Sequence, residues 1–246
     1  MAGLLDSTLA AVAARGERAV VLVGYLANAG QVAVLEELLE RHRGAVSAVV
    51  VDPVSGDDGR AYVGADLVAA WPRLLARATW ALPNLTEVEL FTGRTGEAGV
   101  AALRGWWPEL KLIVTGWPAG DDVVTRLYDG PGEGVEHRQA RVAGRPSGTG
   151  DLFAAEWMRE VFLRGTPPAA AMASRRSVAQ WCSMTRMAAA PAIRMPVKMV
   201  GRAAGKTTLR KVVACESPST RADRSSWGST DLTPLMVLRR IGKKQA

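Results

Sequence analysis

The sequence predicts an α/β fold, an open and mostly parallel sheet in a three-layer αβα arrangement. Three observations lead there. Apolar, β-branched runs at 19–24 and 46–51 have the unbroken hydrophobicity of strands buried on both faces. Amphipathic helical patterns lie between such runs, and strand–helix alternation of this kind builds parallel sheets with helices on both sides. Finally, polar residues suited to ligand binding follow the ends of successive strands, where open α/β sheets hold their ligands.

In chain order, Leu4 to Ala14 has apolar residues at helical spacing, and Ala19–Gly24 is the first strand. Gln31 to Arg43 is amphipathic, with Val32, Val34, Leu35, Leu38 and Leu39 expected inward and Glu36, Glu37, Glu40 and Arg41 outward. Val46–Val51 is the second strand and runs into Asp52-Pro53. Asp66 to Ala78 reads as helix, with Pro72 kinking it or delaying its start. A short strand follows at Thr79–Leu82. Thr86 is expected to cap a helix that Gly93 stops. Glu97 to Trp106 is helical and Leu112–Thr115 is a strand. Val123–Tyr128 and Val135–Val142 form a hairpin about Gly130–Gly134. Leu152 to Leu163 is a last helix, ended by Gly165.

The formal charge of +7 is unevenly placed. Residues 1–168 carry 16 Lys+Arg against 21 Asp+Glu, whereas residues 169–246 carry 15 against 3. Basicity therefore belongs to the tail, and nucleic-acid binding is not expected of the folded unit. The tail, 169–246, shows no clear strand period and is expected to be disordered or the product of a shifted reading frame, leaving 1–168 as the domain. No apolar run is long enough to cross a membrane and no signal peptide is expected. Two cysteines, Cys182 and Cys215, suggest neither a disulfide framework nor a metal cluster, consistent with a cytoplasmic protein.

The sharpest motif is Ser147-Gly148-Thr149-Gly150-Asp151 opening a helix. Glycines there allow close backbone approach, and a helix start offers free N–H groups to an anion. Such donors stabilise a migrating phosphoryl group, and Asp151 is placed to take a proton from an attacking hydroxyl. The same pattern also suits a tight turn with Asp151 as a helix cap. Three more fragments follow strands: Gly24-Tyr25-Leu26, Asp52-Pro53-Val54-Ser55-Gly56-Asp57, and the run from Pro83 to Gly93 containing Asn84 and Glu87.

Taken together, DPVSGDDGRAYV, LPNLTEVELFTG and SGTGDLFAA, in this order and spacing, resemble pyridoxal kinases of the ribokinase-like superfamily over residues 18–168. The resemblance implies ATP-dependent phosphorylation of the 5′-hydroxymethyl group of pyridoxal, pyridoxine or pyridoxamine in vitamin B6 salvage. Asp151 would be the general base and Gly148, Thr149 and Gly150 the anion hole. Asp52, Asn84, Glu87 and Thr115 would serve ATP and Mg²⁺, Glu87 acting on the metal through water. Tyr25 would line the substrate pocket. A monovalent cation such as K⁺ and a homodimeric assembly are further implications.

Each residue also has a plainer reading. Asn84 can close a turn, Glu87 can sit on a helix first turn, Asp52 can be a turn residue before proline, and Tyr25 can be a core aromatic. Against the family pattern, strands that meet the substrate at the amino-terminal end are expected to be missing. The alternatives are therefore a non-catalytic remnant, or a hydroxymethylpyrimidine or sugar kinase of the same superfamily. In the pyrimidine kinases the residue at Asp151 is usually Cys.

Overall fold

The computed structural model describes residues 2–141, 148–173 and 235–240. Ser147 and most of the tail lie outside the described residues. The elements are α1 (Ala2–Ala13), β1 (Arg18–Val23), α2 (Ala29–Arg41), β2 (Val46–Val51), a small hairpin of β3 (Gly56–Asp57) and β4 (Arg60–Ala61), α3 (Ala65–Leu75), β5 (Trp80–Ala81), α4 (Leu85–Thr92), α5 (Gly96–Trp106), β6 (Lys111–Ala119), β7 (Asp122–Tyr128), β8 (Val135–Ala140), α6 (Thr149–Met158), α7 (Pro168–Met172) and β9 (Leu235–Arg240). No helix among them is long and apolar enough to cross a membrane.

Seven strands form one sheet in the order β8-β7-β6-β5-β2-β1-β9. β1, β2, β5 and β6 are mutually parallel, while β7, β8 and β9 run antiparallel to their neighbours. The parallel strands are buried on both sides, as their continuous apolar runs require. Alternate side chains of β1 enter different cores: Ala19, Val21 and Val23 one, Val20 and Leu22 the other.

The first core lies under α1–α5. Leu5, Leu9 and Val12 bring α1 to it, Val32, Leu35, Leu38 and Leu39 bring α2, and Trp71 and Leu74 bring α3. The second core is covered by α6, the π-helical turn Arg159–Arg164 and α7. There Trp157 meets Trp80 edge-on at 4.8 Å and Phe162 at 6.0 Å, a geometry that suits the ring quadrupoles. Glu160, buried in the π turn, is neutralised by Arg159 and Arg164 at 3.0 and 2.8 Å; a buried carboxylate without such partners would be costly.

Several sequence expectations change. Val34, expected on the inward face of α2, is exposed. Pro72 does not delay the start of α3, which begins at Ala65 and continues for three residues beyond the proline. β6 does not stop at Thr115 but continues through Gly116 and Pro118 to Ala119, with a register shift between Val114 and Trp117. That irregularity spans Thr115 and Gly116 and accommodates the positive φ of the glycine, as bulges do, while Pro118 pairs in register with Val123 beyond it. Just past Pro168, Ala171 and Met172 of α7 are buried in the second core. Within the tail, Leu235–Arg240 is a strand paired with β1, where no strand period was expected.

Candidate functional site

The loops at the carboxyl ends of β1, β2, β5 and β6 form one rim, and the start of α6 faces it. Asp52 leaves β2 with its N–H on the Val23 carbonyl at 2.8 Å, and is 8% exposed. Among the described residues, no hydrogen bond or ion pair engages its carboxylate. Asp52 is therefore raised well above the usual carboxylate range, by burial first and then by the charges of Glu87 and Asp151.

Asn84 and Glu87 form a capping box at the start of α4. The Asn84 side chain accepts from the Glu87 N–H at 2.9 Å, and Glu87 Oε2 accepts from the Asn84 N–H at 2.9 Å. Thr86 is not the cap; its hydroxyl instead accepts from the Gly59 N–H at 2.9 Å and holds the β3–β4 hairpin. The other oxygen of Glu87 accepts from the Ser55 N–H at 2.9 Å, and Asn84 Nδ2 donates to the Gly56 carbonyl at 2.8 Å. Two loops are thus stitched together by one carboxylate and one amide. Glu87 is 2% exposed, and burial raises it to about 7 despite the backbone donors that pull it down. Thr115 joins by backbone, its N–H on the Pro83 carbonyl at 3.0 Å in a parallel bridge to Asn84.

α6 begins at Gly148, which has φ 80° and ψ 11°. Gly148 supplies no side-chain cap, so among the described residues the first N–H groups of the helix, those of Thr149, Gly150 and Asp151, have no intrahelical partner. A Cβ on Gly150 would stand 3.9 Å from Asp52 Oδ2, which places the helix start directly against the carboxylate loop. Asp151 is solvent-exposed, yet the surrounding walls shield its carboxyl enough to raise it. The left-handed backbone at Gly148 leads to a prediction. Gly148→Ala should cost about 1–2 kcal/mol, since a Cβ is disfavoured there. Thermal melting should register this as a drop of several degrees, and an unchanged melt would refute it.

The structure thus brings Asp52, Asn84, Glu87, Thr115, Gly148, Thr149, Gly150 and Asp151 together at the carboxyl end of the sheet. Tyr25 stands at the carboxyl end of β1, 39% exposed, and among the described residues no hydrogen bond or ring contact joins it to the carboxylates. A residue not singled out from sequence is Tyr62, after β4. Its phenol is pushed up by burial and then by Glu87, Asp52, Asp57 and Asp151, so it shares the field of the cleft. Its place in the DPVSGDDGRAYV run was the available signal.

Among the described residues Asp52, Glu87 and Asp151 have no cationic partner and the first N–H groups of α6 have no intrahelical acceptor; such a set can hold a metal–phosphate group, the acids attracting the cation and the helix start the anion. Among the described residues, no three His, Cys, Asp or Glu side chains converge to ligate one ion directly. Magnesium, which keeps several of its waters, fits a site of this looser kind.

The sequence model of the phosphomethylpyrimidine kinase family matches residues 2–185, beyond both ends of the 18–168 resemblance. A pyridoxine/pyridoxal/pyridoxamine kinase of Bordetella avium (strain 197N) is 34% identical over 188 residues, which cover 72% of this chain and 64% of that protein. The chain thus spans less than two thirds of that relative's length. Among solved structures, pyridoxal kinase from Lactobacillus plantarum is similar with a TM-score of 0.62 and 27% identity, over 76% of this chain and 69% of that one. Pyridoxal kinase from Leishmania donovani in complex with ADP and pyridoxamine gives a TM-score of 0.52 and 26% identity, over 62% and 57%. By sequence and by fold, the chain belongs to the phosphomethylpyrimidine kinase family.

Proposed function

We propose that the chain transfers the γ-phosphoryl group of ATP to the 5′-hydroxymethyl group of pyridoxal, pyridoxine or pyridoxamine. The observation that carries this reading is the juxtaposition of an uncapped α6 start, Asp151 on its first turn, and the buried Asp52 across the cleft. In this reading Asp151 accepts the hydroxymethyl proton as the oxygen attacks. Its raised affinity for protons makes it a better base than an ordinary exposed aspartate. The N–H groups of Gly148, Thr149 and Gly150 stabilise charge gathering on the equatorial phosphoryl oxygens.

Asp52 and Glu87, with Asn84 fixing the loop geometry, hold Mg²⁺ through its waters, and Thr115 borders the nucleotide. Bound magnesium supplies positive charge between the phosphates. Tyr25 lines the vitamer side of the cleft, and a monovalent cation such as K⁺ is a further ligand of the nucleotide region. The same reading extends to a homodimer acting in the cytoplasm.

The family's name favours a second reading, phosphorylation of a hydroxymethylpyrimidine. Asp151, where such kinases usually carry Cys, favours the B6 vitamers. Coupled ADP release on the purified chain with ATP and Mg²⁺ separates them. The expected result is ADP release stimulated by the three vitamers and not by hydroxymethylpyrimidine. Stimulation by the pyrimidine alone would transfer the assignment. No stimulation by either, from a cooperatively melting chain, would reject both.

A further inference from the structure

The two edges of the sheet are protected by different means. β8 is an outer strand with the sequence Val135-Glu136-His137-Arg138-Gln139-Ala140, mostly exposed and rich in charge. Charged, solvated edges of this kind discourage another strand from adding. β1, on the far side, has no such defence. From Ala19 to Val23 it carries no charge and no proline, and these five residues are all buried. Left open, it would present a flat, apolar row of unpaired N–H and C=O groups, which is a template for strand addition.

That row is filled by the chain itself. β9 pairs antiparallel with all six residues of β1, from Arg18 opposite Arg240 to Val23 opposite Leu235, without a register shift. β9 also runs beside the Arg159–Arg164 turn, so it meets the sheet edge and the second layer together. Its sequence, Leu-Met-Val-Leu-Arg-Arg, ends in two cations.

We infer that the outer edge of β1 is a strand-acceptor surface, closed in cis by Leu235–Arg240, and that this strand keeps two copies of the chain from joining through their β1 edges. A second copy is the natural competitor, since two β1 strands can pair antiparallel about a twofold axis. The inference is independent of the catalytic reading, because it concerns pairing of main chain and not the cleft.

The test is removal of residues 235–246, followed by light scattering and hydrogen exchange of the 18–23 amides. The truncated chain should form larger, concentration-dependent species than the full chain. In dilute solution, exchange at 18–23 should rise by about tenfold or more, as expected when ladder hydrogen bonds are lost. A synthetic peptide of residues 235–244, added in excess, should restore both. An unchanged size together with unchanged exchange would overturn the inference. Should truncation prevent folding, Val237→Pro and Leu238→Pro, made separately in the full chain, give the decision, because successive N–H groups of an edge strand point to opposite sides and one of the two prolines must interrupt the ladder. Faster exchange at 18–23 in either variant supports the assignment, and unaltered exchange in both rejects it.

Discussion

Asp151→Asn is expected to lower turnover by about 10²- to 10⁴-fold, the range typical of a removed general base, while ATP affinity is retained. Asparagine keeps the volume and can hold the same place on the first turn of α6, so the helix start and its N–H groups stay intact. What disappears is the capacity to take a proton. Binding of the nucleotide should not suffer, because Asp151 contributes repulsion to Asp52 and no attraction to phosphates. The measurement is single-turnover kinetics beside an equilibrium titration with ATP. Full turnover in the variant would remove Asp151 from the chemistry. A matched loss of ATP affinity would turn it into a nucleotide-binding residue.

Glu87→Ala should be among the most damaging single changes to stability. The carboxylate receives the N–H groups of Ser55 and Asn84, both near 2.9 Å. Truncation strands two donors in a buried setting, at about 1–3 kcal/mol each. Relief of the repulsion with Asp52 offsets part of this, so a net loss of about 2–5 kcal/mol is expected by denaturant titration. A loss below about 1 kcal/mol would show that the loops hold without it.

The same residue carries a pH signature. Glu87 has its proton affinity raised from 4.5 to about 7 in the folded state, so folding favours the protonated form. Between about 4.5 and 7 the folded chain binds more protons than the unfolded one, and this group's contribution falls as pH rises through that window. Asp52 adds a slope of the same sign. Glu87→Gln should flatten the dependence, and magnesium should raise the melting temperature more at pH 8 than at pH 6.

The parts of the fold that were legible in the sequence are those set by local pattern. β1 and β2 follow from uninterrupted apolar runs, and α2 from its spacing of Val32, Leu35, Leu38 and Leu39. The cleft was legible through loop residues at strand ends, because chain direction in a parallel sheet brings those loops together wherever the helices pack. Four features were not. Thr86 competes with Asn84 as a cap on composition alone, and only the reciprocal bond to Glu87 decides between them. Gly116 and Pro118 look like breakers, yet β6 passes through both, the glycine at a register shift and the proline in register beyond it. β9 depends on a partner more than two hundred positions earlier, and four apolar residues in an arginine-rich stretch give no local reason to pair. Tyr62 was missed for a related cause: the hairpin that carries it is held by Thr86 and Gly59, a contact between separate loops.

In the proposed reading α6 has two duties, one toward the migrating phosphate and one toward the core. Its first turn offers amides to the rim, while Trp157 and Met158, both about two turns on, are buried in the second core. Selection for activity and selection for persistence therefore act on the same ten residues. A substitution in the second core that tilts α6 as a rigid rod would therefore also displace the amides at its start, so packing changes around Trp157 would be felt at the rim.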